Sequence, residues 1–471
     1  MLWFDGVEET PLLREGLEEL ARQKPLLLVE MILEQRHAIE QQRQAIAALE
    51  RRVSELEEAL RQSSGGPPGA APFRIEPHKR KEAPKAPGRG EGHRGEFRMA
   101  PEQVDETIEV PLKQCPNCGS AMEKTIRLEQ TIIELPPVRP LVVRLITHRG
   151  RCGHCGQVVQ SGHPLQVSRA IGAASTQLGA RALASAGLLR HGVGLTLRSC
   201  CTVLEKLFAL RVSPGGLSQG LDRLARRMEL SYEQLAEQLH QSPVVHTDET
   251  SWWLQNERSM LWVFATPERT LYRVVEHRDR VTFHQTIRPD YGGVLVSDCL
   301  AVYDDATELQ QKCYAHHLKA IAAAQSARAS PSDWLVRVEA LLKSAIALGK
   351  ERAALDELEW SKRLKALRLG ARVVLEETTR ACPQEEAVRA RLWKQRDHLF
   401  VFLDHSGVDP TNNLAERQLR PAVIRRKLSC GNKSRRGART FEILTSLTAT
   451  CRQRGEDFLK LASNAARLQP V

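Results

Sequence analysis

The chain has 471 residues, of which 42% are apolar, and it carries a formal net charge of +11. This length exceeds what one simple core needs, so two or more domains are expected. The acidic first residues and the absence of any run near eighteen uninterrupted apolar residues favour neither secretion nor a membrane span. The positive charge favours a polyanionic partner, with nucleic acid as the working hypothesis, and the eleven cysteines favour metal ligands over disulfides.

Residues 1–62 contain an apolar heptad pattern that predicts a helical zipper. The residues that recur every seven positions are Ile32, Ile39, Ile46, Val53 and Leu60. Such a stripe, with charges between its members, is typical of a coiled coil, which predicts a homo-oligomer. The alternative is one amphipathic helix that packs on its own chain. Residues 63–99 are rich in Pro, Gly and basic side chains and predict a flexible linker, whose charges either contact phosphate or stay solvated.

Two cysteine pairs mark residues 100–165 as a zinc-ribbon domain. Cys115 and Cys118 lie in CPNC, and Cys152 and Cys155 lie in CGHC. Each pair presents two sulfurs from one tight turn, and two such turns supply the four thiolates of a closed structural Zn²⁺ site. Residues 129–151 alternate β-branched and polar side chains, which predicts the hairpin strands of the ribbon. The alternative is four buried free thiols.

Residues 166–240 have helical periodicity and predict a DNA-binding-like helical domain. Two apolar-periodic helices are joined by a turn that contains Ser213, Pro214 and Gly215. This arrangement is typical of a helix-turn-helix, and a plain helical bundle is the alternative.

From residue 244 the pattern changes to strands, and two of these strands end on acids. SPVVHTDET contains Asp248 and GGVLVSDCL contains Asp298. If the fourth strand pairs beside the first in a mixed sheet, the two carboxylates lie close together and require a cation between them. Mg²⁺ prefers such hard oxygen ligands. Glu249 would face the other side of its strand.

A third carboxylate is expected from DPTNNLAERQLRP, which offers Glu416 with Asp409 upstream. Two metal ions held by three carboxylates support phosphoryl transfer. The alternative is structural, because Asn413 as the N-cap would let Glu416 close a capping box.

The segment after Glu416 carries nine Lys or Arg from Arg417 to Arg439 and no acid, which predicts contact with a DNA backbone. The residues singled out for that contact are Arg417, Arg420, Arg425, Arg426, Lys427, Arg435 and Arg436.

The order of zipper, GEGHRG linker, four-cysteine ribbon, HTDET, SDCLAVYD, KCYAHH and NNLAERQLRP resembles transposases of the insertion sequence 66 family. The resemblance implies a multidomain α+β protein whose residues 241–471 form an RNase H-like catalytic domain with a helical insertion at about 318–400. It places the family's DDE triad on Asp248, Asp298 and Glu416. The Cys-x-x-His stretch places Cys313 and His316 near the site as supports.

The resulting hypothesis is a DNA transposase that cleaves the 3′ ends of an insertion sequence and joins them to target DNA. Two Mg²⁺ ions are expected, with Mn²⁺ as a substitute, beside the structural Zn²⁺. The expected location is the cytoplasm, in association with bacterial nucleoid DNA, and the resemblance implies small accessory transposition proteins. Two alternatives remain open, a domesticated or inactive zinc-ribbon DNA-binding regulator and an RNase H-like nuclease without strand transfer.

Overall fold

A computed structural model describes residues 19, 22–63, 101–123, 125–172, 175–328, 330, 332–377 and 383–468. The chain divides into two compact units, Met1–Met99 and Ala100–Val471. In the first unit, residues Pro25–Ser63 form one long helix, α1. The expected helix is therefore confirmed, and Ile39 and Ile46 of its heptad stripe are half exposed. The pairing of this helix into a coiled coil stays a prediction, and residues 64–99 of the expected linker lie outside the described residues.

The second unit begins with two short cysteine turns, each held by a pair of backbone hydrogen bonds. Strands β1 (Arg149–Arg151) and β2 (Val158–Gln160) form an antiparallel hairpin around the second turn. The first turn is flanked by one isolated bridge between Gln114 and Ala121. The expectation of strands across residues 129–148 was wrong, because the described residues there form no strand. Their apolar side chains, such as Leu135 and Leu141, are exposed and have no strand to pair with.

A larger sheet and thirteen further helices make up the rest of the described part of this unit. The strands of the sheet are β3 (Val244–Leu254), β4 (Glu257–Ala265), β5 (Thr270–Val275), β6 (Val294–Ser297) and β7 (Gln310–Lys312). The helices before and between the strands are α2 (Ala180–Gly187), α3 (Leu197–Phe208), α4 (Pro214–Arg227), α5 (Glu229–His240) and α6 (Arg280–His284). The helices after the strands are α7 (Tyr314–Ser326), α8 (Asp333–Glu351), α9 (Glu357–Glu376), α10 (Pro383–Lys394), α11 (Val401–Asp404), α12 (Asn413–Ser429), α13 (Arg435–Arg454) and α14 (Phe458–Ala466). None of the described helices combines the length and apolar character that a bilayer crossing requires.

Strand β3 lies at the centre of the mixed sheet, whose order is β5-β4-β3-β6-β7. It pairs antiparallel with β4, which pairs antiparallel with β5. On its other side it pairs parallel with β6, which pairs parallel with β7. The expectation that the fourth strand lies beside the first is confirmed.

Helices cover both faces of this sheet, because its strands are apolar on both sides. Val245 and Leu295 share one hydrophobic cluster with α2–α5, α13 and α14. Val294 and Val296 face the opposite side and share a second cluster with α7–α11. The described residues of the segment at about 318–400 are mainly helical and pack on the face bearing Val294, and their identity as the insertion of an RNase H-like domain stays a prediction. The helices of residues 180–240 share a core with the sheet, and a DNA-reading role for α3 and α4 stays a prediction.

Helix α13 seals the open edge of β5 with side chains spaced four residues apart. Glu442, Ser446 and Thr450 accept hydrogen bonds from the backbone N–H groups of Val274, Tyr272 and Thr270 at 2.7, 2.9 and 3.1 Å. One face of a helix places these positions in a row, so it satisfies donors that an edge strand leaves unpaired.

The loop between α12 and α13 clamps the far end of β3. Asn432 donates its backbone N–H to the carbonyl of Trp253 at 2.8 Å, and its side-chain oxygen accepts from Trp252 Nε1 at 2.9 Å. Gly431 has a φ of +111°, and a Cβ there would lie 2.2 Å from the carbonyl oxygen of Trp253. Only glycine fits this approach of two backbones.

Replacing Gly431 by alanine should therefore lower the free energy of unfolding by about 3 kcal/mol, because the added Cβ strains the backbone and separates the clamp from β3. Gly370→Ala is the control, since Gly370 lies in α9 with open space around its Cα. It should raise stability by about 0.5–1 kcal/mol through helix propensity. Chemical denaturation measures both, and equal stability of the two variants would contradict the clamp.

Candidate active site

Asp248 and Asp298 come together because β3 and β6 run parallel. The register pairs His246 with Val296, and each aspartate lies two residues beyond that pair. Parallel strands carry equivalent positions to the same edge of a sheet, so both carboxylates lie at one end of the central strand pair. The first two acids of the expected triad are therefore neighbours. The expectation that both strands end on an acid was wrong for Asp248, because β3 continues past it to Leu254, whereas β6 ends at Ser297.

The surroundings of Asp248 disfavour the ionised form of its carboxyl group. Burial raises the pKa of Asp248 to about 7, and the negative charges of Glu249, Asp298 and Glu416 contribute to that rise. The backbone N–H of Glu249 donates to Asp248 Oδ1 at 2.9 Å and opposes the rise in pKa. Removal of this carboxyl group from water is thus the main cause of its raised pKa, and the neighbouring negative charges add to it.

Glu249 faces the opposite side of the sheet, as the alternation of a strand predicts. Asp248 is opposite Val263, whereas Glu249 is opposite Trp262, and these partners lie in different hydrophobic clusters. The carboxylate of Glu249 accepts a hydrogen bond from the Tyr303 hydroxyl and lies 3.5 Å from the guanidinium of Arg278.

Glu416 lies in the first turn of α12, and the structure removes the capping-box alternative. The N-cap is Asn412, not Asn413, so Glu416 is the fourth helical residue and no side chain caps this helix. The Asn412 side chain turns away instead and donates to the carbonyl of Thr247 at 2.7 Å. This contact ties the start of α12 to β3, directly before Asp248.

The carboxylate of Glu416 lies beside Cys313 and His316. One ligand atom from each of these three residues lies within 4.8 Å of the other two. Across the described residues, no equally close group combines Glu416 with Asp248 and Asp298. The third acid is thus near enough to raise the pKa of Asp248, but it is held on the side of Cys313 and His316.

The sequence alone did not single out two residues that lie next to the acids, Lys312 and Tyr303. Lys312 is fully buried and donates to Ser297 Oγ at 3.1 Å, and burial lowers its pKa to about 8. Tyr303 is also buried and binds Glu249. Both residues could have been found from the motifs, because Lys312 directly precedes Cys313 and Tyr303 lies in SDCLAVYD.

The basic residues after Glu416 separate into two groups. Arg425 is buried, lies 4.6 Å from the ring centroid of Phe441 and donates to His191 Nδ1 at 3.2 Å, so it does not belong to the exposed surface. Arg426 donates to Thr250 Oγ1 at 2.7 Å. Arg435 pairs with Glu276, and Arg436 lies 3.2 Å from Asp222.

The exposed basic residues of α12 form a stripe. Arg417, Arg420 and Lys427 are exposed and recur at spacings of three and seven, together with exposed Ile424. This is the period of one helix face. The stripe begins one residue after Glu416 and leads away from the acids.

The two cysteine turns have matching geometry but do not form one site. Gly119 and Gly156, each directly after the second cysteine of its pair, have φ of +76° and +70°. Each donates its N–H to the carbonyl of the first cysteine of its turn, at 2.9 and 3.0 Å. Among the described residues, however, the four sulfurs do not gather within 4.8 Å of one another. The closed four-cysteine Zn²⁺ site stays a prediction.

Comparison with known proteins gives a family for this chain. The family described as "Transposase IS66 family" matches residues 175–440, more than half of the chain, and the match includes Asp248, Asp298 and Glu416. The uncharacterized protein y4qI of Sinorhizobium fredii (strain NBRC 101917 / NGR234) is 24% identical, over 88% of this chain and 77% of its own length. The chain therefore belongs to the IS66 family of transposases, enzymes that act on DNA.

Proposed function

We propose that this transposase cleaves the 3′ ends of an insertion sequence and joins them to target DNA at an RNase H-like DDE site. The observation that carries the proposal is the convergence of Asp248, Asp298 and Glu416: the β3–β6 register brings the two aspartates together, and the hydrogen bond from Asn412 to Thr247 ties the start of α12 beside Asp248. The charges of Asp298 and Glu416 add to the raised pKa of Asp248. The strand order with β3 at the centre supports an RNase H-like domain.

The three carboxylates fit a hard divalent cation. Their oxygens are the donors that Mg²⁺ prefers, with Mn²⁺ as a substitute, and the raised pKa of Asp248 marks negative charge that a cation would compensate. Asp248 would be shared by two ions, and Asp298 and Glu416 would each hold one. When bound, such ions activate an attacking oxygen and stabilise a leaving one.

The protein's own residues then position the DNA. The α12 stripe of Arg417, Arg420 and Lys427 would hold the phosphate backbone where it leads to Glu416, because exposed cations on one helix face match a line of phosphates. Water attacks a phosphodiester at the end of the element and releases a 3′ hydroxyl. That hydroxyl attacks a target phosphodiester, so one bond forms for each that breaks, and one site serves both in-line steps.

Other parts of the chain would support assembly. The two cysteine turns would hold a structural Zn²⁺, since paired thiolates on tight turns suit that ion. Self-association through α1 would join two element ends, and small accessory proteins stay an expectation that rests on the family.

Two rival functions are a DNA-binding regulator and a nuclease that cleaves without joining. Substitution of the three acids tests the first, and an assay of joining tests the second. Asp248→Asn, Asp298→Asn and Glu416→Gln should each lower Mg²⁺-dependent cleavage of DNA that carries the terminal inverted repeats by at least about 10³-fold, because each removes a ligand charge. Asp290→Asn is the control, since Asp290 is exposed beside Arg288. Gel assays with labelled ends measure cleavage and joining. Equal cleavage by the acid variants would refute the triad, and cleavage without joining would favour the nuclease.

Asp248 should also make stability depend on pH and Mg²⁺. Its pKa rises from 3.8 to about 7 on folding. The folded state therefore loses stability as the pH rises from about 4 to about 7, by at most about 4 kcal/mol, and Asp248→Asn removes this loss. In thermal melts without divalent cations, the variant should exceed the wild type at pH 8 and match it near pH 3.5.

Added Mg²⁺ should raise the melting temperature of the wild type at pH 8 more than that of Asp248→Asn, because a bound cation compensates the carboxylate. Asp290→Asn should behave as the wild type in both series. A wild-type melting temperature that does not respond to Mg²⁺ would argue against a cation at these acids.

The α12 stripe should govern DNA affinity. Replacing Arg417, Arg420 and Lys427 by Gln should weaken binding of duplex DNA and reduce the slope of log K against log salt concentration by about 0.9 for each phosphate that the variant no longer neutralises. Lys362→Gln with Lys365→Gln on α9 is the matched control, because it removes exposed cations far along the chain from α12. Fluorescence anisotropy over a salt series measures both, and equal slopes for the two variants would exclude the stripe.

A further inference from the structure

Glu416 has two sets of neighbours with different chemistry. On one side lies Asp248, whose oxygens are hard donors and whose pKa the charge of Glu416 helps to raise. On the other lie Cys313 and His316, and one ligand atom from each of these and from Glu416 lies within 4.8 Å of the other two. A thiol, an imidazole and a carboxylate are a donor set that suits Zn²⁺ and related borderline ions, and not Mg²⁺.

The fold brings the three donors together on two helix starts. Cys313 is the N-cap residue of α7, and His316 lies in the first turn of that helix. The start of α7 is joined to the segment before α12, because Tyr314 donates its N–H to the carbonyl of Pro410 at 2.9 Å. The backbone N–H of Asn412 donates to Cys313 Sγ at 3.1 Å, so the sulfur is held by the N-cap residue of α12.

His316 carries a polar atom that the protein leaves unused. Its Nδ1 is buried and has no hydrogen-bond partner. Buried polar atoms are nearly always satisfied, so an unpaired ring nitrogen on a histidine whose ring also lies beside a thiol and a carboxylate supports a role as a ligand. The ligands of one tetrahedral Zn²⁺ lie about 3.3–3.8 Å apart, given bond lengths of about 2.0–2.3 Å. The three donor atoms, which lie within 4.8 Å of one another, are therefore within about 1.5 Å of the spacing that one ion requires.

We propose that Cys313, His316 and Glu416 form a binding site for Zn²⁺, separate from the cysteine turns, and that an ion there holds Glu416 away from Asp248 and Asp298. The thiol of Cys313 would lose its proton to solvent on binding, and the fourth position would be open to water. The claim that the ion holds Glu416 away from the other acids rests on the proposed function, because it makes Zn²⁺ an inhibitor of the Mg²⁺-dependent reaction.

Binding is tested on the full chain with Co²⁺, which takes the place of Zn²⁺ and gives a thiolate-to-metal absorption band. Cys313→Ser keeps an acceptor for the N–H of Asn412 but removes the thiolate, and His316→Gln removes the imidazole. Each variant should bind one Co²⁺ fewer than the wild type, and Cys313→Ser should lose part of the thiolate band. Cys451→Ser is the control, because it removes a buried thiol of α13 and should bind as the wild type does.

The cysteine turns contribute equally to every one of these proteins, so the differences report on the proposed site. Circular dichroism and melting temperature establish that each variant is folded. Wild-type cobalt content and thiolate absorption in either Cys313→Ser or His316→Gln would overturn the site.

Inhibition is measured as the rate at each Zn²⁺ concentration relative to the zinc-free rate of the same protein, with Mg²⁺ constant. The wild type and Cys451→Ser should lose at least about tenfold in rate at Zn²⁺ concentrations that fill the site, and His316→Gln should lose much less. Equal inhibition of His316→Gln and wild type would refute the competition for Glu416. A chain that binds Co²⁺ through Cys313 but never cleaves DNA would keep the site and refute the proposed function instead.

Discussion

The parallel pairing of β3 with β6 is the constraint on which the candidate site depends. It carries Asp248 and Asp298 to the same end of the β3–β6 pair, two residues beyond the pair of His246 and Val296. Both strands are buried on both faces, so their register is determined by packing on helices from two sides. Two acids at that end carry an electrostatic cost, visible in the pKa of Asp248, which the rest of the fold must tolerate.

Helix α12 depends on the same pair of strands, since both of its ends are tied to β3. At its start, the Asn412 side chain donates to the carbonyl of Thr247, and after its end the loop at Asn432 pairs with Trp253. Its apolar face lies with Trp252 and Val263 in one hydrophobic cluster. The helix that carries Glu416 and the exposed basic stripe therefore has little freedom to move along the strand.

The two faces of the sheet carry different acids and different helices. Asp248 and α12 lie on one face with the helical insertion, whereas Glu249, Tyr303 and the helices of residues 180–240 occupy the other. Arg436 pairs with Asp222 and Arg435 pairs with Glu276, so part of the charge in this run of cations joins elements of the fold.

The sequence by itself determined the helical character of residues 166–240, the position of Asp298 directly after a strand, and the family, because strand alternation and short motifs are local properties of a chain. It also predicted a strand end at Asp248, which was wrong, because β3 continues to Leu254. It did not reveal that Arg425 is buried against Phe441, that Asn412 and not Asn413 caps α12, or that residues 129–148 form no strand. Tertiary structure alone decided these, and also that Glu416 lies beside Cys313 and His316, since α7 and α12 meet only when the sheet is complete. Contacts between segments about a hundred residues apart depend on packing, which no local pattern records.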